Sequence, residues 1–330
     1  MKNSTKFLSS VITRFPNPIR VVPFAMFLSI AAVLWDSWWH GSIGRDSFFI
    51  PPHDLLYLSI GVGFVALILQ LVQDRTLGKR KDTRLITLLV ADLVMFTAAP
   101  FDDWWHRVFG EEEITSILIL WSPPHLAALL STVVGGIALF LFITDRFRNS
   151  HFLHILQGVT VFSTAQFILM PIAPISLHRA VGFYGSFFVS LVAAGLLIFL
   201  VKRSTFVGLA TMISLLHMAI ASIAFSASFI INQVEIDIPS HPHEPAWLVF
   251  FSLLLGGLII DGLSRRVPPW LVGLLYGFAT SFLLYSAASP FIEPGFAYGI
   301  GAAITAIIAA SLGGLLGGIL VSMRKSSRTE

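Results

Sequence analysis

Long apolar stretches alternate with short polar connections along the whole chain. A membrane-spanning helix needs about 20 consecutive, mostly apolar residues, and on that length ten segments can be drawn. Their approximate limits are residues 21–40, 54–73, 85–105, 123–144, 152–172, 180–201, 205–231, 246–263, 268–289 and 295–322. The pattern predicts an all-α fold, a polytopic integral membrane bundle of about ten transmembrane helices.

Composition strengthens this prediction and excludes several functions. The 330 residues are 55% hydrophobic and only 12% charged, about half the charged fraction that is typical of soluble domains. There is no cysteine, which excludes disulfides and thiolate metal ligands. No glycine-rich phosphate loop, nucleophile elbow or basic nucleic-acid stripe occurs, so we expect no nucleic-acid partner.

The distribution of positive charge predicts the orientation. All Lys and Arg residues except Arg45, Arg107 and Arg179 fall in the termini and in alternate connections on one side of the predicted membrane. The positive-inside rule makes that side cytoplasmic, with both termini inside. Residues 1–20 lack a compact apolar run with a cleavage site, which favours a retained cytoplasmic tail over a signal peptide. We expect a multi-pass protein of a prokaryotic plasma (inner) membrane.

One polar motif occurs twice, each time between two apolar segments. Both copies read Asp-x-Trp-Trp-His-x-x-x-Gly and are followed by Pro-Pro-His. The polar members are Asp36, His40, Gly44 and His53 in the first copy, and Asp102, His106, Gly110 and His125 in the second. Asp and His are rare in membrane helices unless they serve a function, and both copies lie toward the predicted extracytoplasmic face.

The spacing within each copy suits a metal ion. Asp36 and His40 are four residues apart and therefore share one helix face, while His53 returns at the start of the next helix, after two helix-initiating prolines. Two imidazoles and one carboxylate suit iron, copper or zinc. Asp102, His106 and His125 repeat the pattern. If the first four helices pack together, the sets form neighbouring sites or share a ligand. The alternative is a pair of interfacial polar clusters, and the duplication favours the metal.

Other features point to structure or to weaker functional candidates. The Trp pairs are typical of an interfacial aromatic belt. Asp92 and His217 are ionisable residues within predicted spans. Asp92 is a candidate for a proton or ion path. His217 is either functional or a core hydrogen-bond partner of a nearby Ser or Thr.

We divide the chain into a tail (1–20), a four-helix metal-site half (21–145) and a six-helix half of unassigned role (146–330).

The first copy resembles the metal-binding signature of the C subunit of copper membrane monooxygenases, over roughly residues 30–130. The likeness rests on Asp36-x3-His40-x12-His53, with Arg45-Asp46 and Phe49 before the closing His. It implies that Asp36, His40 and His53 bind copper. It also implies that His53, Asp102 and His106 serve an adjacent site, in which this chain has Asp where the family has Asn.

Three functions follow. The first, which the resemblance implies, is a copper-dependent subunit that oxidises a small apolar substrate or ammonia with O2. Such a subunit would work in the lipid bilayer, either with other monooxygenase-type subunits or as a homo-oligomer. The second is a membrane-embedded zinc hydrolase, with Asp103 or Glu111 as general base. The third is a non-enzymatic metal carrier or assembly factor.

Overall fold

The computed structural model describes residues 16–43, 48–110, 118–169, 179–231, 246–288 and 300–326. These residues form helices and connections, with no β-strand among them. Besides a 3-10 turn at Pro18–Val21 and a helical turn at Leu118–Trp121 there are ten long helices. They are α1 Val22–Ser42, α2 Pro51–Thr76, α3 Thr83–Phe109, α4 Pro123–Arg146, α5 His151–Leu169, α6 Arg179–Arg203, α7 Leu209–Ile231, α8 Ala246–Leu263, α9 Pro269–Ala288 and α10 Ile300–Ser326.

The ten helices confirm the ten predicted segments, and the differences lie at their ends. Among them, α3 ends at Phe109 rather than at residue 105, and α7 begins at Leu209 rather than at residue 205, a difference of four residues in each case. Helix α2 begins at Pro51 because proline is favoured in the first helical turn, where no hydrogen bond from its nitrogen is needed. Helix α3 begins early because the Asp82 carboxylate accepts a hydrogen bond from the backbone N–H of Arg84 (3.0 Å).

Seven described helical stretches are long and apolar enough to cross a membrane. They are Pro18–Asp36, Pro51–Thr76, Thr83–Phe109, Pro123–Arg146, His151–Leu169, Ser186–Arg203 and Ala303–Met323. Leu209–Ile220 and Ser252–Leu263 are shorter apolar stretches. This is the pattern that a helical membrane bundle requires, since only helices and closed barrels satisfy all backbone hydrogen bonds inside lipid.

Two apolar clusters hold the bundle together, and α4 contributes to both. Leu139 and Ile143 join the cluster formed with α1, α2 and α3. Phe140, on another face of α4, joins the cluster formed with α5, α6 and the later helices, including Phe162 of α5. Because neighbouring residues of one helix serve both clusters, the first four helices are packed continuously against the rest of the described bundle.

The small-residue stripe of α10 packs within the chain. Gly313 lies against the backbone of α6, where a Cβ on Gly195 would stand 2.8 Å from the Gly313 carbonyl oxygen. Gly314 and Gly318 lie against Pro269 at the start of α9. Small residues allow helix backbones to approach this closely, and α6 with α10 is the most extensive helix pair among the described residues.

Charged residues link α3 and α4 at one end of the pair. Arg84 donates to Asp145 (2.6 Å), and its guanidinium also pairs with Asp82. Helices α3 and α4 are antiparallel neighbours, so the end of α3 and the start of α4 lie at the opposite end. That opposite end carries the second copy of the Asp/His motif.

Candidate metal centre

The second copy of the motif forms one compact cluster. Asp102 and His106 lie one turn apart near the end of α3, and His125 lies in the first turn of α4. The Asp102 Oδ1 atom is 3.0 Å from Nε2 of His106 and 3.1 Å from Nε2 of His125. One ligand atom from each residue lies within 4.8 Å of the others. The hairpin therefore brings together the two imidazoles and the carboxylate that the spacing predicted.

The hydrogen-bonding chemistry of this cluster suits a bound cation. The other ring nitrogen of His106, Nδ1, lies 3.3 Å from the Gly110 carbonyl oxygen. A carbonyl oxygen only accepts, so Nδ1 carries the hydrogen, and Nε2 of the neutral ring presents a lone pair to the Asp102 carboxylate. Two acceptors at 3.0 Å need a positive charge between them, either a proton or a metal ion. A backbone carbonyl behind a metal-binding histidine is also the usual arrangement.

Gly110 explains the last position of the motif. It ends α3 with φ 84° and ψ 174°, a conformation that is essentially restricted to glycine. Its N–H donates to the His106 carbonyl (3.0 Å), while its own carbonyl faces the His106 ring. The Asp-x3-His-x3-Gly spacing thus places three contacts on successive turns of one helix end. The repeated glycine was visible in the sequence, but this role for its carbonyl was not predicted.

The first copy reproduces the contact between the aspartate and the closing histidine. Nε2 of His53 lies 3.0 Å from Oδ1 of Asp36, and Nδ1 of His53 lies 3.0 Å from the Phe48 carbonyl oxygen. The carbonyl fixes the His53 tautomer in the same way as Gly110 fixes that of His106. His40 belongs to α1, but its side chain lies outside the part of the chain that the structure describes, and so does Gly44. Two of the three predicted ligands of the first set are thus together.

The structure pairs each closing histidine with the aspartate of its own copy. His125 lies with Asp102 and His106, and His53 contacts Asp36. The resemblance to the monooxygenase subunit implied His53 in the set of Asp102 and His106. The described contacts bring His125 to Asp102 and His106, as the repeat of the motif predicted, while the role of His53 in that set stays a prediction of the resemblance.

Tyr57 lies beside the first set, within electrostatic range of the second, and was not predicted. Its ring lies one turn beyond His53, with ring centroids 5.9 Å apart, and stacks on Phe48 at 5.1 Å. The carboxylates of Asp102 and Asp36 both act electrostatically on its phenol. Both sets therefore lie within range of one side chain. The second copy has Leu129 at the matching position, so the repeat gave no signal for the tyrosine.

Aromatic side chains surround the end of α3 next to the cluster. Trp105 packs on Phe109, with ring centroids 4.3 Å apart, and Trp104 is half exposed. In the first copy Trp35 packs edge-on against Trp39 at 6.4 Å. Exposed indoles beside partly exposed ones fit an interfacial belt.

Two other polar candidates, Asp103 and His217, contact side chains outside the two Asp/His sets. Asp103 pairs with Arg107 at 2.7 Å on the exposed face of α3. Nδ1 of His217, in α7, lies 3.0 Å from the Ser163 hydroxyl, and its ring packs edge-on against Phe162. His217 therefore has the hydroxyl partner that the structural interpretation of its position expected. Glu111 lies outside the described residues.

Comparisons with protein-family models, with curated proteins and with solved structures give no match to this chain.

Proposed function

We propose that this chain is an integral membrane metalloprotein that binds a transition metal ion through Asp102, His106 and His125. One observation supports this most directly: the Nε2 atoms of two histidines converge on a single carboxylate oxygen, at 3.0 and 3.1 Å. The set combines two nitrogen donors with one anionic oxygen donor, and all three side chains are only partly exposed. Such a set leaves coordination positions open for a further ligand.

The proposed metal is copper. Two histidines and one carboxylate are compatible with copper, iron or zinc, and the resemblance of the first copy to the copper membrane monooxygenases favours copper. Bound copper would supply O2 chemistry, and the proposed activity is oxidation of a small apolar substrate or ammonia. The residues of this chain would hold the ion and fix the His106 tautomer through Gly110.

The proposed location is the extracytoplasmic side of a prokaryotic plasma membrane. The metal cluster and the Arg84–Asp145 pair lie at opposite ends of the α3–α4 pair. The basic connections share the Arg84 end, so the positive-inside rule places the cluster outside. Partner subunits of the monooxygenase type belong to the same proposal.

Metal analysis of the purified protein tests the centre. We expect wild type to carry copper and His125→Ala to lose it, because His125 is the only described ligand that α4 contributes. His151→Ala is the matched control, since His151 is an exposed histidine at the start of α5. A histidine removed there should leave the metal content unchanged. Stoichiometric zinc without copper would refute the choice of metal, and equal metal content in all three proteins would refute the site.

His53→Ala distinguishes the two sets. If His125 rather than His53 completes the Asp102 set, His53→Ala leaves the metal of the second set in place, and any loss is confined to ion bound near Asp36. If His53 instead completes the Asp102 set, as the resemblance implies, the variant empties that site as thoroughly as His125→Ala does. The copper-to-protein ratio of the two variants separates these cases.

The two other functions make different demands. A zinc hydrolase needs a general base beside the ion, and Asp103 is already paired with Arg107 on the exposed face. Chelator-sensitive hydrolysis of a lipid amide or ester without O2 uptake would favour that function. Metal flux in proteoliposomes would favour a carrier.

A further inference from the structure

A small cavity lies between the first four helices, deeper in the bundle than the Asp/His sets. It measures about 30 Å³, which is room for one or two water molecules or for one small ion. Its polar lining consists of four hydroxyl side chains and one carboxyl. These are Ser29, Ser59, Asp92, Ser131 and Thr132.

The register of the helices places this cavity well below the proposed metal centre. Asp92 is ten residues before Asp102 on α3, and Ser131 is six residues after His125 on α4. At about 1.5 Å per residue the separation is on the order of 9–15 Å along the helix axes. The cavity is therefore a separate location, not an extension of the Asp/His cluster.

Asp92 is the only titratable group among the lining residues. Its Oδ2 atom is inaccessible to solvent and has no hydrogen-bond partner in the described part of the chain. A buried carboxylate oxygen without a hydrogen-bond donor carries a desolvation cost, which a bound cation removes. Ionisable groups inside a membrane bundle persist mainly where they serve a binding or transfer role.

The surrounding hydroxyls can serve as oxygen ligands. Each lies within 3.0 Å of a carbonyl oxygen of its own helix: Ser29 at Ala25, Ser59 at Leu56, and both Ser131 and Thr132 at Ala128. Ser29 and Ser59 are also 2.8 Å from each other.

A hydroxyl has one hydrogen and two lone pairs. The hydrogens are used by the carbonyls or between Ser29 and Ser59, so oxygen lone pairs remain for a cation. An anion would find neither a donor nor a positive charge in this lining.

We propose that Asp92 and these hydroxyls form an intramembrane binding site for one small monovalent cation, either Na⁺ or a proton. Both neutralise the carboxylate. Na⁺ would also be coordinated by the hydroxyl oxygens, in keeping with the preference of hard cations for oxygen ligands. The proposal does not depend on the metal centre.

Thermal unfolding of the full-length protein in detergent tests the site with NaCl as the probe. NaCl is varied against choline chloride at constant ionic strength, at one acidic and one alkaline pH. If Na⁺ is the cation, the wild-type midpoint rises with NaCl at alkaline pH, by roughly 2 °C at a tenfold excess over the Kd. Asp92→Asn, which is neutral and nearly isosteric, shows no such rise.

The same samples test whether the bound cation is a proton. If a proton is the cation, NaCl has no effect, and the wild-type midpoint falls relative to Asp92→Asn as pH increases, because the folded state then holds a proton that the unfolded state releases. Both proteins contain the same histidines, so the difference between their unfolding midpoints removes the effect of histidine titration.

Two further variants sharpen the test. Ser59→Ala removes one oxygen from the lining, so it weakens the NaCl response but leaves the proton response intact. Asp74→Asn makes the same chemical change as Asp92→Asn at a carboxylate outside the cavity, paired with Lys79, and it should respond like wild type. Identical behaviour of wild type and Asp92→Asn in both arms overturns the proposal.

Discussion

At the scale of single residues, Gly110 would link backbone conformation to the metal affinity that we propose for the second set. Its φ of 84° is strained for any side chain, although a Cβ there would meet no atom within 4 Å. Gly110→Ala therefore costs about 1–3 kcal/mol in backbone strain, and relief of that strain moves the carbonyl that fixes His106. We expect about a 10–100-fold loss of metal affinity, as for other residues that support metal ligands, measured by competition with a chelator.

Gly78 provides the control for this substitution. It also has a positive φ, 64°, and open space around its Cα, but it lies in the connection between α2 and α3 at the opposite end of the bundle. Gly78→Ala should lower the unfolding midpoint and leave metal affinity unchanged. Equal loss of affinity in both variants would show that Gly110 acts only through stability.

The sequence predicted those parts of the candidate site whose positions follow from the spacing of residues along a helix. Asp102 and His106 share a helix face because they are four residues apart, and the two prolines place His125 at a helix start, so their proximity could be expected. Tyr57 and the Gly110 carbonyl could not. The position of Tyr57 depends on how α2 packs against its neighbours, and the carbonyl contact depends on a backbone turn that the residue types allow without specifying.

At the scale of helices, apolar length determines where each span lies, and local contacts determine where it ends. The ten helices could be predicted because about twenty apolar residues in lipid have few alternatives to a helix. Their ends depended on proline placement at Pro51 and on the Asp82 cap. The stripe of small residues in α10 indicated a close helix contact, but only the structure identifies α6 and α9 as the partners.

The contact between α6 and α10 leads to a prediction about stability. A Cβ on Gly313 would collide with the Leu191 carbonyl, a backbone atom that cannot rotate away. Gly313→Ala must therefore separate the helices, and we expect a loss of at least about 1–3 kcal/mol, typical of overpacking. Gly262→Ala in α8 is the control, since nothing lies within 4 Å of its Cβ position. There the gain in helix propensity should leave the unfolding midpoint unchanged or raised.

At the scale of the whole molecule, different polar side chains lie at the two ends of the α3–α4 pair. One end has the Arg84, Asp82 and Asp145 network, the other has carboxylates facing imidazoles. The cavity at Asp92 lies between them. A positive end that stays in the cytoplasm would hold the bundle in one orientation, with the Asp/His sets on the extracytoplasmic side.

This orientation can be measured because the chain has no cysteine, so each introduced cysteine reports a single position. Phe49→Cys lies beside the first set at a side chain that is 72% exposed, and Leu77→Cys lies near the basic connection at one that is 58% exposed. In intact cells a membrane-impermeant maleimide should label Phe49→Cys directly, whereas Leu77→Cys should react only after permeabilisation. The reverse pattern would place the metal centre in the cytoplasm and contradict the positive-inside assignment.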